Sequence, residues 1–119
     1  MDDRLKKALD VANLMVTFGT QRDLLRQEFK EDCLYHERGH RFTVNRELIN
    51  FLSTLDRLGH NEDIVILDDF ENPFMIENVK EFLDKIFTLY IEATNSYYHK
   101  YIDLKSKRSI AKVMEIDNE

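Results

Sequence analysis

The feature that most constrains this chain is an apolar repeat in its C-terminal third. Val79, Leu83, Ile86, Tyr90, Ala93 and Tyr97 are spaced four, three, four, three and four residues apart; Lys100 interrupts the next step and Leu104 resumes it. A 3.5-residue period sustained this far specifies a helix that lays one seam against another helix. Asn78 stands where the N-cap of that helix belongs, and Glu81, three residues on, completes a capping-box pattern. Phe82, Phe87, Leu89, Ile91, Tyr98 and Ile102 widen the stripe beyond a narrow seam. One intramolecular partner does not need so wide a face, so the repeat raises self-association as a way to cover the rest.

The partner within the chain is the N-terminal segment. Leu5, Ala8, Leu9, Ala12, Met15 and Val16 recur at three- and four-residue spacing, and the stripe then changes phase through Phe18, Leu25 and Phe29. Gly19 sits at the change, where Thr20 and Asp23 could cap a second helix. One long helix over 1–32, with Gly19 as the place for a kink, is the preferred reading, because an interior Gly costs only about 1 kcal/mol.

Between the long helices lie shorter elements. Cys33-Leu34-Tyr35 and Arg41-Phe42-Thr43-Val44 flank Glu37-Arg38-Gly39-His40 and predict a hairpin over 33–44. Asn45 is an N-cap for a helix over 45–58 whose apolar face is Leu48, Phe51, Leu52, Leu55 and Leu58, with Gly59 stopping it at C′. Ile64-Val65-Ile66-Leu67, the turn Asp68 to Pro73 and Phe74-Met75-Ile76 predict a second hairpin over 64–76, able to join the first in one small sheet. The last helix is expected over 78–108, and 109–119 is left as a C-terminal tail: helical continuation, edge strand or segment ordered on binding. The expected fold is α+β, mainly α: two long antiparallel helices, a short helix and one or two β-hairpins forming a small antiparallel sheet. At 119 residues this is one domain around one core.

Composition narrows the function classes. The chain is 43% apolar and 34% charged, which suits a compact body with a charged exterior. Its formal charge of −6 disfavours generic nucleic-acid binding. The charge is uneven: from Glu62 to Asp84 eight acidic residues face Lys80 alone, and from Lys100 to Lys112 five basic residues face Asp103 alone. Those are two solvated surfaces, or ends that attract head to tail. The single cysteine, Cys33, reads as a small apolar filler. Met1-Asp2-Asp3-Arg4 opens no signal-peptide core and no run is long enough to span a membrane, so the expected location is cytoplasmic, that of the host cell for a phage-encoded chain.

Motifs for chemistry are weak. His36 and His40 stand four apart, but Gly39 puts them in a hairpin, where they could meet only across the turn. Asp68-Asp69-Phe70-Glu71-Asn72 lacks the ligand spacing of a calcium loop and reads as an exposed acidic turn. Phosphate loops, nucleophile elbows and CxxC pairs are absent from the sequence. Tyr90, Tyr97, Tyr98 and Tyr101 beside Lys100, Lys105 and Lys107 could stack bases, although core packing explains them more simply. The chain therefore reads as non-enzymatic, without cofactor, metal or small-molecule substrate. Its partners are proteins, further copies of itself included. The candidate interface is Phe87, Ile91, Tyr98, Ile102, Ile110 and Val113.

Leu5-Lys6-Lys7-Ala8-Leu9-Asp10, Phe42-Thr43-Val44-Asn45-Arg46-Glu47-Leu48-Ile49, Ala93-Thr94-Asn95-Ser96-Tyr97-Tyr98 and Leu104-Lys105-Ser106-Lys107-Arg108 together resemble small proteins of T-even-like tailed phages, marine ones included. The resemblance covers most of the chain as general texture, without a diagnostic motif. It implies a prohead core component, part of the internal scaffold around which capsid subunits assemble, located in the prohead or virion. No functional residues carry over from it. The competing expectations are a monomeric regulatory module that docks on a host or phage protein and, third, an enzyme or metal protein with a pocket at His36, His40 or the acidic turn.

Overall fold

The computed structural model describes residues 2–117, the side chains of Leu14 and of 111–117 excepted. The fold is α+β and mainly α, with three helices and two small antiparallel two-stranded sheets among the described residues. In chain order these are α1 (Asp3–Asp32), β1 (Leu34–Glu37), β2 (His40–Thr43), α2 (Arg46–Arg57), β3 (Glu62–Leu67), β4 (Pro73–Asn78) and α3 (Val79–Asp117). α1 runs unbroken through Gly19.

The contacts divide the chain into two compact units. One is a helical pair, residues 1–28 with 96–119; the other, residues 29–95, holds both hairpins, α2 and the first half of α3. The core cluster, centred on Phe42, Leu52, Phe74, Val79, Phe82 and Ile86, lies wholly in the hairpin unit.

Local chemistry explains the elements of the hairpin unit. The β1–β2 turn is two residues, Arg38 and Gly39, with φ of 48° and 79°. Two positive φ values match the twist of a tight hairpin. Asn45 caps α2 by accepting from the Leu48 amide at 2.8 Å. At the other end Gly59, at φ 85°, lets its own amide reach Asp56 O and the His60 amide reach Leu55 O, closing the helix as a Schellman turn. Asn78 accepts from the Glu81 amide at 3.1 Å and opens α3.

Three expectations need correction. The hairpins stay separate, because the edge of β2 is taken by the turn between β3 and β4. Asp69 donates its amide to Arg41 O at 2.9 Å and accepts from the Thr43 amide at 2.9 Å through Oδ1. One aspartate thus satisfies the groups a neighbouring strand would have paired. The second hairpin is longer than 64–76, since Glu62 pairs with Asn78. Of the alternatives left open for 109–119, residues 109–117 take helical continuation, as the last turns of α3, so α3 runs past the expected end at 108. That stretch contains neither Gly nor Pro, so nothing stops the helix.

Candidate functional site

Each expected chemical site takes a structural part. His36 lies opposite Arg41 and Glu37 opposite His40 in the β1–β2 register. Opposed residues share a face and successive ones alternate, so His36 and His40 point to opposite faces of the hairpin and do not meet. His40 instead places Nδ1 2.8 Å from Asp68 Oδ2 and sets its ring edge-on to Phe74 at 5.0 Å. Among the described residues, no three His, Cys, Asp or Glu side chains gather as a metal site. Cys33 is buried, and burial, reinforced by the Asp32 charge, pushes its thiol up. A raised thiol pKa leaves less of the nucleophilic thiolate. No helix among the described residues is long and apolar enough to cross a membrane.

The acidic turn is not simply exposed. Asp68 is 7% accessible, and its Oδ1 accepts from the Phe70 and Asn72 amides at 2.9 Å each while Oδ2 meets His40. Burial pushes its carboxyl up, but the hydrogen bonds from Asn72, His40 and Phe70 outweigh that and hold it below the usual carboxylate range. Asp69 follows the same logic: its burial is outweighed by hydrogen bonds from Thr43 and Arg41. The turn is a clasp between the hairpins. Arg38 adds to it by donating to Met75 O at 2.9 Å and lying 4.4 Å over the Phe74 ring.

Among the described residues, exposed apolar side chains gather on a strand face of the hairpin unit and on the helical pair. The β3–β4 hairpin buries Ile66, Phe74 and Ile76 on one face and exposes Val65, Leu67 and Met75 on the other, at 54%, 61% and 44%. Val65 and Met75 are direct cross-strand partners, so this is one patch. Acidic side chains of Glu62, Asp63 and Glu77 lie exposed on the same strands.

The second surface belongs to the helical pair. There α1 and α3 run antiparallel: Lys100 donates to Glu28, while Met15 and Phe18 share a cleft with Leu104 and Arg108. Yet no described side chain of this unit is fully buried. Val11, Met15, Phe18 and Leu25 of α1 are half-covered. Leu5, Leu9, Ala12 and Val16 are exposed, the three larger ones at 52%, 45% and 68%. At about 100° per residue, the exposed set sits roughly a third of a turn round the helix from the half-covered one. The half-covered face runs from Val11 to Leu25 and continues across Gly19, so the two faces lie side by side along the first half of α1. Leu5, Leu9, Ala12 and Val16 point outward, whereas Met15, which the sequence set in the same stripe, turns with Phe18 toward α3.

Of the residues singled out as interface, Phe87 and Ile91 lie exposed in the hairpin unit, at 47% and 42%. Tyr98, Ile102 and Ile110 lie exposed in the helical pair, at 60%, 42% and 56%, while the Val113 side chain falls outside the described residues. Tyr98 and Ile102, four apart, share one face of α3, and Ile110 projects from a different one. Tyr98 and Tyr101 are exposed and Tyr97 half-buried, with Lys100 held on Glu28. Sequence reasoning missed the α1 stripe as a surface because a regular stripe reads as core by default. The break in its phase was the available signal. No protein-family model, no curated protein and no solved structure matches this chain.

Proposed function

We propose that this chain is a non-catalytic structural or assembly protein that acts through helix-mediated protein–protein contacts, other copies of itself among its partners. One observation carries the reading: a pair of long helices whose described side chains include none fully buried, with Leu5, Leu9, Val16, Leu24, Tyr98, Ile102 and Ile110 each more than 40% exposed. Helices owe most of their stability in water to burying an apolar face. A two-helix pair that leaves these apolar side chains exposed invites further helices to cover them. The resemblance to small proteins of T-even-like phages gives such assembly a setting, the internal core of a prohead in the host cytoplasm.

Solution mass, followed by light scattering across a concentration series, tests the proposal. A dimer or larger species that forms as concentration rises is the expected result. A strict monomer at every concentration would overturn it. The β3–β4 patch favours a second reading, a monomeric regulatory module that docks on a host or phage protein through Val65, Leu67 and Met75. In that case Val65→Lys would abolish partner capture while leaving the far-UV spectrum unchanged.

A further inference from the structure

The exposed stripe of α1 is its own complement. Leu5, Leu9, Ala12 and Val16 are spaced four, three and four, so the stripe reads the same from either end. Turned end for end on a second copy, it sets Leu5 against Val16 and Leu9 against Ala12, a large side chain opposite a smaller one in each layer. Antiparallel helices pair in this alternation of seam positions. A parallel, in-register pairing would set Leu9 against Leu9 and Ala12 against Ala12, and further along the same seam would bring two Asp23 carboxylates together. Asp23 is exposed, with its own helix neighbour Arg26 at 3.6 Å, and like charges facing each other are disfavoured. Gly19, the next seam position, presents no side chain, and a Cβ built there meets nothing within 4 Å.

We infer that the partner of this surface is a second copy of the chain, with the two α1 helices packed antiparallel through Leu5, Leu9, Ala12 and Val16 about a two-fold axis between Leu9 and Ala12. This rests on the assembly reading and makes the contact isologous, so that it closes on a pair and leaves the outward face of α3 free for further contacts.

Disulfide trapping in the full chain tests it. With Cys33→Ala in both, one protein carries Leu5→Cys and the other, given a larger tag, carries Val16→Cys; light scattering under reducing conditions first checks that each keeps the wild-type mass. Mixed and oxidised, they should join as the 5-to-16 heterodimer, with neither forming much disulfide alone. In the antiparallel pair two copies of residue 5 lie about 16 Å apart along the axis, beyond the roughly 7 Å that a disulfide can bridge. Homodisulfides at either position would overturn the antiparallel arrangement in favour of a parallel one. An associated species that forms neither product would place the contact on another face, overturning this inference while leaving the assembly reading standing. A strict monomer before oxidation would overturn both.

Discussion

Phe74 is the residue whose loss should cost the hairpin unit most for the smallest chemical change. Its ring is 3% exposed and stands edge-on to Phe42 at 5.1 Å and to His40 at 5.0 Å. It also leans on Phe82 at 5.8 Å and carries the Arg38 guanidinium 4.4 Å over its face. Phe74→Leu keeps the residue apolar and close in volume, so as a size change alone it should cost about 1 kcal/mol. It also removes three ring contacts and one cation–π contact. Aromatic pairs contribute about 0.5–1.5 kcal/mol each beyond the area they bury, and an exposed cation–π contact about 0.5–1 kcal/mol. Shared among neighbours that relax, the total loss should be about 3 kcal/mol. With a urea slope near 1.5 kcal/mol/M for a unit this small, that moves the midpoint down by about 2 M. The assay is urea unfolding followed by far-UV circular dichroism and tyrosine fluorescence, which suit a chain with five Tyr and no Trp. A double-mutant cycle with Phe42→Leu isolates the 5.1 Å pair and should return a coupling of about 1 kcal/mol. A loss near 1 kcal/mol with no coupling would refute the reasoning, leaving the rings as ordinary apolar volume.

Other outcomes follow from the same structure. The Asp68 carboxyl is held below its unfolded value, so its contribution to stability is fully present above about pH 4 and is lost as pH falls through the lower folded value. Urea midpoints should drop on acidification, and less steeply in Asp68→Asn; equal slopes in both proteins would remove Asp68 from the clasp. Gly19→Ala, with nothing near the new methyl, should stabilise α1 by about 1 kcal/mol, seen as increased helical ellipticity and a higher melting temperature; destabilisation would mean that a close contact occupies the site. Ile86, 0% exposed, should not tolerate Asp, which buries an unpaired charge and unfolds the hairpin unit. Tyr98→Asp, at a 60% exposed site, should keep the wild-type spectrum and lower the mass of any oligomer that uses that face. Unchanged mass and stability in both variants would defeat the assignment of α3's faces.

What could be read ahead of the structure was whatever short-range chemistry decides. The Asn45 cap, the Gly59 stop, the Arg38-Gly39 turn and the Asn78 opening of α3 each depend on groups within five residues. The buried carboxylate of Asp68 could not be read that way. One of its partners, His40, is 28 positions away, and an acidic run looks solvated until such a partner is known. Residues 109–117 were ambiguous for another reason: the β-branched Ile110, Val113 and Ile116 suit a strand, while the lack of Gly and Pro lets the helix run on. In α1 the spacing gave the helix but not which of two stripes turns inward, since periodicity fixes relative and not absolute orientation. Of the six residues that widen the α3 stripe, Phe87, Ile91, Tyr98 and Ile102 are exposed, whereas Phe82 is buried in the core and Leu89 packs against it.

The distribution of charge bears on where copies of this chain can meet. Residues 29–95 carry seven basic and fourteen acidic side chains, whereas 1–28 and 96–119 together carry ten basic and nine acidic. Nearly all the net charge thus sits on the unit that already buries its core. Two such units repel at close range. The helical pair is close to neutral and has apolar faces to cover, so its approach to a second copy meets little long-range opposition. Association through α1 then needs no charge pairing to succeed, and the acidic unit works against contacts that would stack hairpin faces of like copies on one another. The same repulsion would make the Val65, Leu67 and Met75 patch better suited to a basic partner than to another copy. On this reading the two uncovered surfaces serve different partners, and charge is what keeps them apart.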